Sequence, residues 1–108
     1  YAEMENRRLV HKLGVIYSTS YSIMKNIPEI IESIIESTEN TKFDRCHFVG
    51  FGDSSLNIEY VYYITTKEYK KAMKAQQDIN LEIMRRFEEQ QIEFAFPTRT
   101  VNIIRGID

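Results

Sequence analysis

Apolar and polar positions along the chain follow a two-residue period, then a helical one, and the same succession returns further on. After a polar start (Tyr1–Arg8), Leu9, Leu13, Val15 and Tyr17 occupy alternate positions, which predicts a strand from about Leu9 to Tyr17. Ser18-Thr19-Ser20 then supplies turn and cap chemistry. Ile23, Ile27, Ile30, Ile31, Ile34 and Ile35 recur at three- and four-residue intervals and predict one apolar face of a helix. Two starts fit that helix. Either Ser20 or Ser22 caps it and Pro28 kinks its second turn, or Asn26 caps it with Glu29 completing a capping box. The polar run Ser37–Thr41 ends it without a glycine.

A second strand is expected from about Arg45 to Phe51, and a third from about Leu56 to Thr65, with Leu56, Ile58, Tyr60, Tyr62 and Ile64 on one side. Tyr69, Ala72, Met73, Ile79, Ile83 and Phe87 mark the inner face of a long helix, roughly Lys67 to Gln91. Glu88 and Glu89 sit unfavourably at its negative end. Ile92, Phe94 and Phe96 alternate as a short strand that Pro97 interrupts, and Thr98–Ile104 extends beyond it. The order β-α-β-β-α-β predicts a ferredoxin-like α+β fold: an antiparallel sheet, both helices on one face, and an extended C-terminal tail. The expected division is a linker from a preceding domain over 1–8, the ferredoxin-like domain over 9–97, and a strand or tail over 98–108.

Composition narrows the classes of function. A chain of 108 residues with a 43% hydrophobic share suits one folded domain. Its net charge of −2 gives no general attraction to nucleic acid or anionic lipid. No apolar run is long enough to cross a bilayer. The single cysteine, Cys46, excludes an internal disulfide. The first residue is Tyr rather than Met, as expected of a segment from a longer protein.

Gly50-Phe51-Gly52-Asp53-Ser54-Ser55 invites three chemical readings. A phosphate-binding loop needs its glycine turn to open a helix, whereas strand periodicity follows here and no Gly-Lys-Ser/Thr is present. Gly52-Asp53-Ser54 with Asp44-Arg45-Cys46-His47 imitates the two blocks of a GDS(L) esterase, but in reverse order and only a few residues apart. What remains is a hairpin, in which Asp53 and Ser54 supply turn side chains and the glycines permit the backbone angles. Cys46 and His47, being adjacent on a strand, face opposite sides and cannot chelate one ion together. Tyr60, Tyr62 and Tyr63 beside Lys67, Lys70, Lys71 and Lys74 suggest an RNA-stacking sheet, but those lysines belong to the helix behind it. No catalytic, cofactor-binding or metal-binding residue is therefore expected, and no nucleic-acid partner.

The stretches "GFGDSSLNIEYVYY" and "INLEIMRRFEEQQIEFAFPTRTV", with "RRLVHKLGVIYSTS" upstream, resemble the C-terminal cytoplasmic domain of small-conductance mechanosensitive (MscS-type) channels. The resemblance covers roughly Asn6 to Ile103. It departs at Ser18, where the family often has an acidic residue, and at Pro28 inside the helix. The resemblance implies a non-enzymatic domain of an inner-membrane channel that releases solutes on osmotic downshock. It further implies a homoheptamer with a cytoplasmic vestibule, a base where the C-terminal strands of the subunits converge, and transmembrane helices upstream of Tyr1. The alternative is a small-ligand-binding regulatory domain of the same fold. Beyond Pro97, Val101, Ile103 and Ile104 have little remaining chain to cover them, so pairing between subunits is expected there.

Overall fold

The computed structural model describes residues 6–95. Along the chain come β1 (Arg7–Val15), α1 (Tyr21–Glu36), β2 (Thr41–Phe51), β3 (Leu56–Ile64) and α2 (Tyr69–Glu89). The strands form an antiparallel sheet in the order β1-β3-β2. Leu56, Ile58, Tyr60, Tyr62 and Ile64 of β3 are all buried, as their alternation predicts, and they form one core with both helices. Val61 is fully buried on the opposite face of the sheet.

β1 begins earlier than its apolar pattern, because Arg7 and Arg8 pair with Ile64 and Tyr63 of β3. It also ends earlier, at Val15, because the Thr19 N–H and hydroxyl both bond to the Ile16 carbonyl and turn the chain. Tyr17 is thus a loop residue and not the last position of the strand. β2 starts at Thr41 rather than Arg45. The register shift at Phe43/Arg45 explains why alternation misses Thr41–Asp44, and a second shift follows at Phe48/Gly50. A bulge inserts a residue, so Phe43 and Cys46, three apart, come opposite Tyr62 and Tyr60 on the same face.

Ser20 caps α1: it is extended (φ −73, ψ 160) and its side-chain oxygen accepts from the Ile23 N–H at 3.4 Å. The Asn26 start is overturned, since the helix runs without a break from Tyr21 through Pro28 to Glu36. Met24, Ile27, Ile30, Ile31, Ile34 and Ile35 form its buried face. Hydroxyls end it in place of a glycine. Thr38 Oγ1 donates to the Ile34 carbonyl at 2.8 Å and Thr41 Oγ1 to the Ile35 carbonyl at 2.9 Å. Asn40 then takes the left-handed conformation (φ 67), which asparagine tolerates better than most residues.

α2 buries Ala72, Ala75, Ile79, Ile83 and Phe87. Tyr69 and Met73, expected on that face, are 71% and 45% exposed, so the inner stripe is narrower than the sequence suggested. Glu89 at the helix end is offset by Arg85, 2.6 Å away. Beyond the helix the Ile92 N–H reaches the Phe87 carbonyl (2.8 Å) and the Gln91 N–H the Glu88 carbonyl (3.1 Å). With Gln91 at φ 60, these bonds make a Schellman ending whose apolar pair is Ile92 and Phe87.

The expected fourth strand is present only as an isolated bridge between Phe94 and Val15. Two backbone bonds support it, Ile16 N–H to the Glu93 carbonyl and Ala95 N–H to the Gly14 carbonyl, on the outer edge of β1 where a ferredoxin-like fourth strand belongs. The ferredoxin-like order is therefore realised in part. Phe96, the extension past Pro97 and the tail over 98–108 lie outside the described residues, as does most of the 1–8 linker.

Candidate functional site

The Gly50–Ser55 stretch is the turn between β2 and β3, closed by the Gly52 N–H on the Ser55 carbonyl at 2.7 Å. Among the described residues no glycine has a positive φ, which corrects the expectation that the glycines serve the turn through unusual backbone angles. At Gly52 and Gly14 the reason is space. A Cβ on Gly52 would stand 2.8 Å from Asn57 Nδ2, and one on Gly14 would stand 2.8 Å from Ser55 Cβ. Ser55 Oγ in turn donates to Asn57 Oδ1 at 2.6 Å. The missing side chain of Gly14 thus lets the turn wedge against β1, and that of Gly52 lets the turn close on itself. Tyr17, past the end of β1, donates its hydroxyl proton to the Gly52 carbonyl and ties the loop before α1 to the hairpin.

That tie leaves an aromatic cluster on the surface. The Tyr17 ring stacks on Phe51 with centroids 6.5 Å apart, and Phe51 meets Phe48 edge-on at 5.2 Å. Phe51 is 75% exposed. Alternation along β2 gave no hint of the cluster, because the second bulge intervenes between Phe48 and Phe51.

The esterase-like constellation does not assemble from these parts. Asp44 faces Arg8 (3.8 Å), and the ring of His47 is approached by Arg45 (3.5 Å), which also holds Glu59 at 3.0 Å. Ser54 lies exposed in the turn. Cys46 is buried while His47 is exposed, in keeping with opposite faces. Burial, partly opposed by the nearby Arg45 charge, pushes the Cys46 thiol up to about 12, so it stays protonated and is a poor nucleophile or ligand.

Tyr60 and Tyr62, which a base-stacking sheet would display, are instead packed under the helices. Lys71 and Lys74 are engaged with Glu68 (3.4 Å) and Asp78 (3.0 Å) on the solvated side of α2. A groove of about 580 Å³ lies between the end of α1 and α2, lined by Ser37, Thr38, Lys71, Lys74, Asp78 and Glu82 among others. Its Lys74 and Asp78 neutralise each other, so the groove offers a ligand no uncompensated charge of either sign at that point.

His11 occupies the same row of β1 as Leu9, Leu13 and Val15. Its ring stacks on both Tyr60 (5.3 Å) and Tyr62 (5.4 Å). Period two alone would have found it, had a polar residue been admitted to an apolar face.

Comparison with known proteins gives a consistent result. Residues 10–94 match the family model described as "Mechanosensitive ion channel MscS, C-terminal". An MscS family protein of Aquifex aeolicus is 36% identical over 106 residues, covering 95% of this chain and 29% of that protein. The small-conductance mechanosensitive channel MscMJ of Methanocaldococcus jannaschii is 37% identical over 98 residues, covering 90% of this chain and 28% of the channel. The low conductance mechanosensitive channel YnaI of Escherichia coli is 30% identical over 104 residues, with 91% and 29% covered. The chain thus spans less than a third of the length of these relatives.

Proposed function

The chain belongs to the MscS family of mechanosensitive ion channels and matches its C-terminal domain; from that premise we propose that it is the assembly and vestibule domain of a channel that opens under membrane tension. The carrying observation is the family match over residues 10–94, which includes both helices, all but the start of β1 and the whole β2–β3 hairpin. In this reading the domain lies on the cytoplasmic side of the inner membrane. Seven copies surround a vestibule beneath a pore built by transmembrane helices upstream of Tyr1. Opening releases solutes on osmotic downshock. In this reading the domain is a scaffold and not an enzyme, which the buried, protonated Cys46 thiol and the place of Ser54 in an exposed turn support. The expected segment division, with a linker over 1–8 and a tail over 98–108 that joins subunits, belongs to the same proposal.

None of the described helices is long and apolar enough to cross a membrane. The test therefore uses the full-length protein. Reconstituted in a bilayer patch, it is expected to give stepwise currents as suction rises, and native mass measurement is expected to count seven copies. Silence at every tension short of rupture would overturn the channel reading, and a different count would overturn the heptamer alone. Small-ligand regulation, the alternative within the same fold, has less support, because the groove between α1 and α2 has its lysines engaged by carboxylates.

A further inference from the structure

We propose that His11 is an acid-sensitive latch at the centre of the β1–β3 ladder: its neutral imidazole holds β1 in place, and its protonation releases that strand. The proposal stands independently of the channel reading.

His11 lies in the core-facing row of β1, between Leu9 and Leu13 and directly opposite Tyr60 of β3. Its ring is stacked on Tyr60 at 29° and on Tyr62 at 24° between planes. Nε2 is buried and has no hydrogen-bond partner among the described residues. An orphaned polar atom of this kind carries an unrecovered desolvation cost even when neutral, and a charge there costs far more.

Among the described residues nothing offsets such a charge: Glu32 of α1 acts on Cys46, while burial alone acts on His11. From β3 come the phenols of Tyr60 and Tyr62, each pushed up to about 12 by burial and hence neutral throughout the physiological range. From β2 comes the Cys46 thiol beside Tyr60, also neutral. The buried residues of α1 are Met24 and five isoleucines, and those of α2 are two alanines, two isoleucines and Phe87. Among the described residues no charged side chain is buried. Glu59 and Asp44, acids of the sheet, pair with Arg45 and Arg8 on its other face.

Burial accordingly lowers the His11 pKa from its ordinary value of 6.5. The folded state thus favours the neutral ring, and the stability this contributes is complete above the unfolded value. It is lost as pH falls through 6.5 towards the lower folded pKa, because the unfolded chain then binds more protons. A proton on Nε2 puts charge at the buried end of this half-buried ring; relieving it draws the ring off Tyr60 and Tyr62, and the middle of the β1 ladder loosens with it.

Hydrogen exchange of the peptide covering Arg7–Val15, measured in the full-length protein at pH 7.5 and 5.5 and scaled for intrinsic rates, tests this. Protection is expected to fall with acidification, to a ceiling of about tenfold set by an unfolded imidazole titrating at 6.5. Carboxylates titrate near pH 4, below this window. His11→Phe is expected to abolish the fall, whereas His47→Gln, which changes the other histidine, leaves it intact. If His11→Phe does not fold, the imidazole resonances of the unmutated protein decide the matter. A His11 midpoint below 6.5 supports the latch, and one at or above 6.5 overturns it. Equal protection at both pH values, or an unchanged fall in His11→Phe, would also overturn it.

Discussion

Gly14→Ala examines the wedge between β1 and the hairpin directly. The new methyl group would stand 2.8 Å from Ser55 Cβ and 3.0 Å from Ser55 Oγ. Carbon atoms prefer separations of about 3.5–4.0 Å, so roughly an ångström must be found. Ser55 cannot readily supply it, since its hydroxyl is bonded to Asn57 at 2.6 Å and its carbonyl to the Gly52 N–H at 2.7 Å. Asn57 is itself the ladder partner of Gly14, so any movement would disturb the pairing of β1 with β3. Overpacking of this kind costs about 1–3 kcal/mol. The φ of Gly14 is not positive, so alanine fits the backbone and recovers about 0.4–1 kcal/mol through the unfolded state. The net expectation is a loss of roughly 0.5–2 kcal/mol, the difference between those two effects. Ser55→Gly removes the opposing Cβ. In that background Gly14→Ala should cost nothing or stabilise, giving a coupling of about 1 kcal/mol or more. With no Trp in the chain, unfolding in urea is best followed by far-ultraviolet circular dichroism. If the two changes add to within about 0.3 kcal/mol at unchanged m-value, the wedge does not exist.

Gln91→Gly should stabilise the domain by about 1 kcal/mol, because it relieves a left-handed residue (φ 60) at the end of α2; a lower denaturant midpoint would contradict the Schellman ending. Ile34→Ala, at a nearly fully buried position of α1, should cost about 2–5 kcal/mol in the same melts, and a loss below about half a kcal/mol would reverse the assigned helix face. Cys46 should resist a thiol reagent in the native protein and react fully in denaturant, and rapid native labelling would refute its burial. Ser54→Ala should leave any trace esterase signal unchanged, and a loss of turnover would revive the hydrolase reading.

Legibility in the sequence followed the regularity of each element. β3 and the isoleucine face of α1 have unbroken periods, and both were readable to within a residue or two. The start of β2, Thr41–Asp44, escapes alternation because the bulge at Phe43/Arg45 changes the side it assigns, and no bulge is marked by residue type. α2 was found, but Tyr69 and Met73 were placed inside because spacing reports a stripe and not its width. The hairpin was recognised as a turn, with a mistaken reason for its glycines: the need lies in Ser55 and Asn57, which only the folded chain brings against Gly14 and Gly52. The Tyr17 tie and the stacking of His11 depend likewise on contacts distant in sequence.

The two bulges of β2 bear on a hazard of crowding. Among the described residues β2 is one of the two outer strands of the sheet, and a long flat outer strand invites another chain to add to it. In the proposed assembly, copies tethered side by side would meet one another at high effective concentration, where such recruitment is hardest to avoid. Two register shifts bend this edge out of flatness, and exposed Lys42, Asp44 and His47 stand along it. A neighbour brought alongside β2 therefore finds a poor template for runaway sheet growth, and close quarters become compatible with solubility.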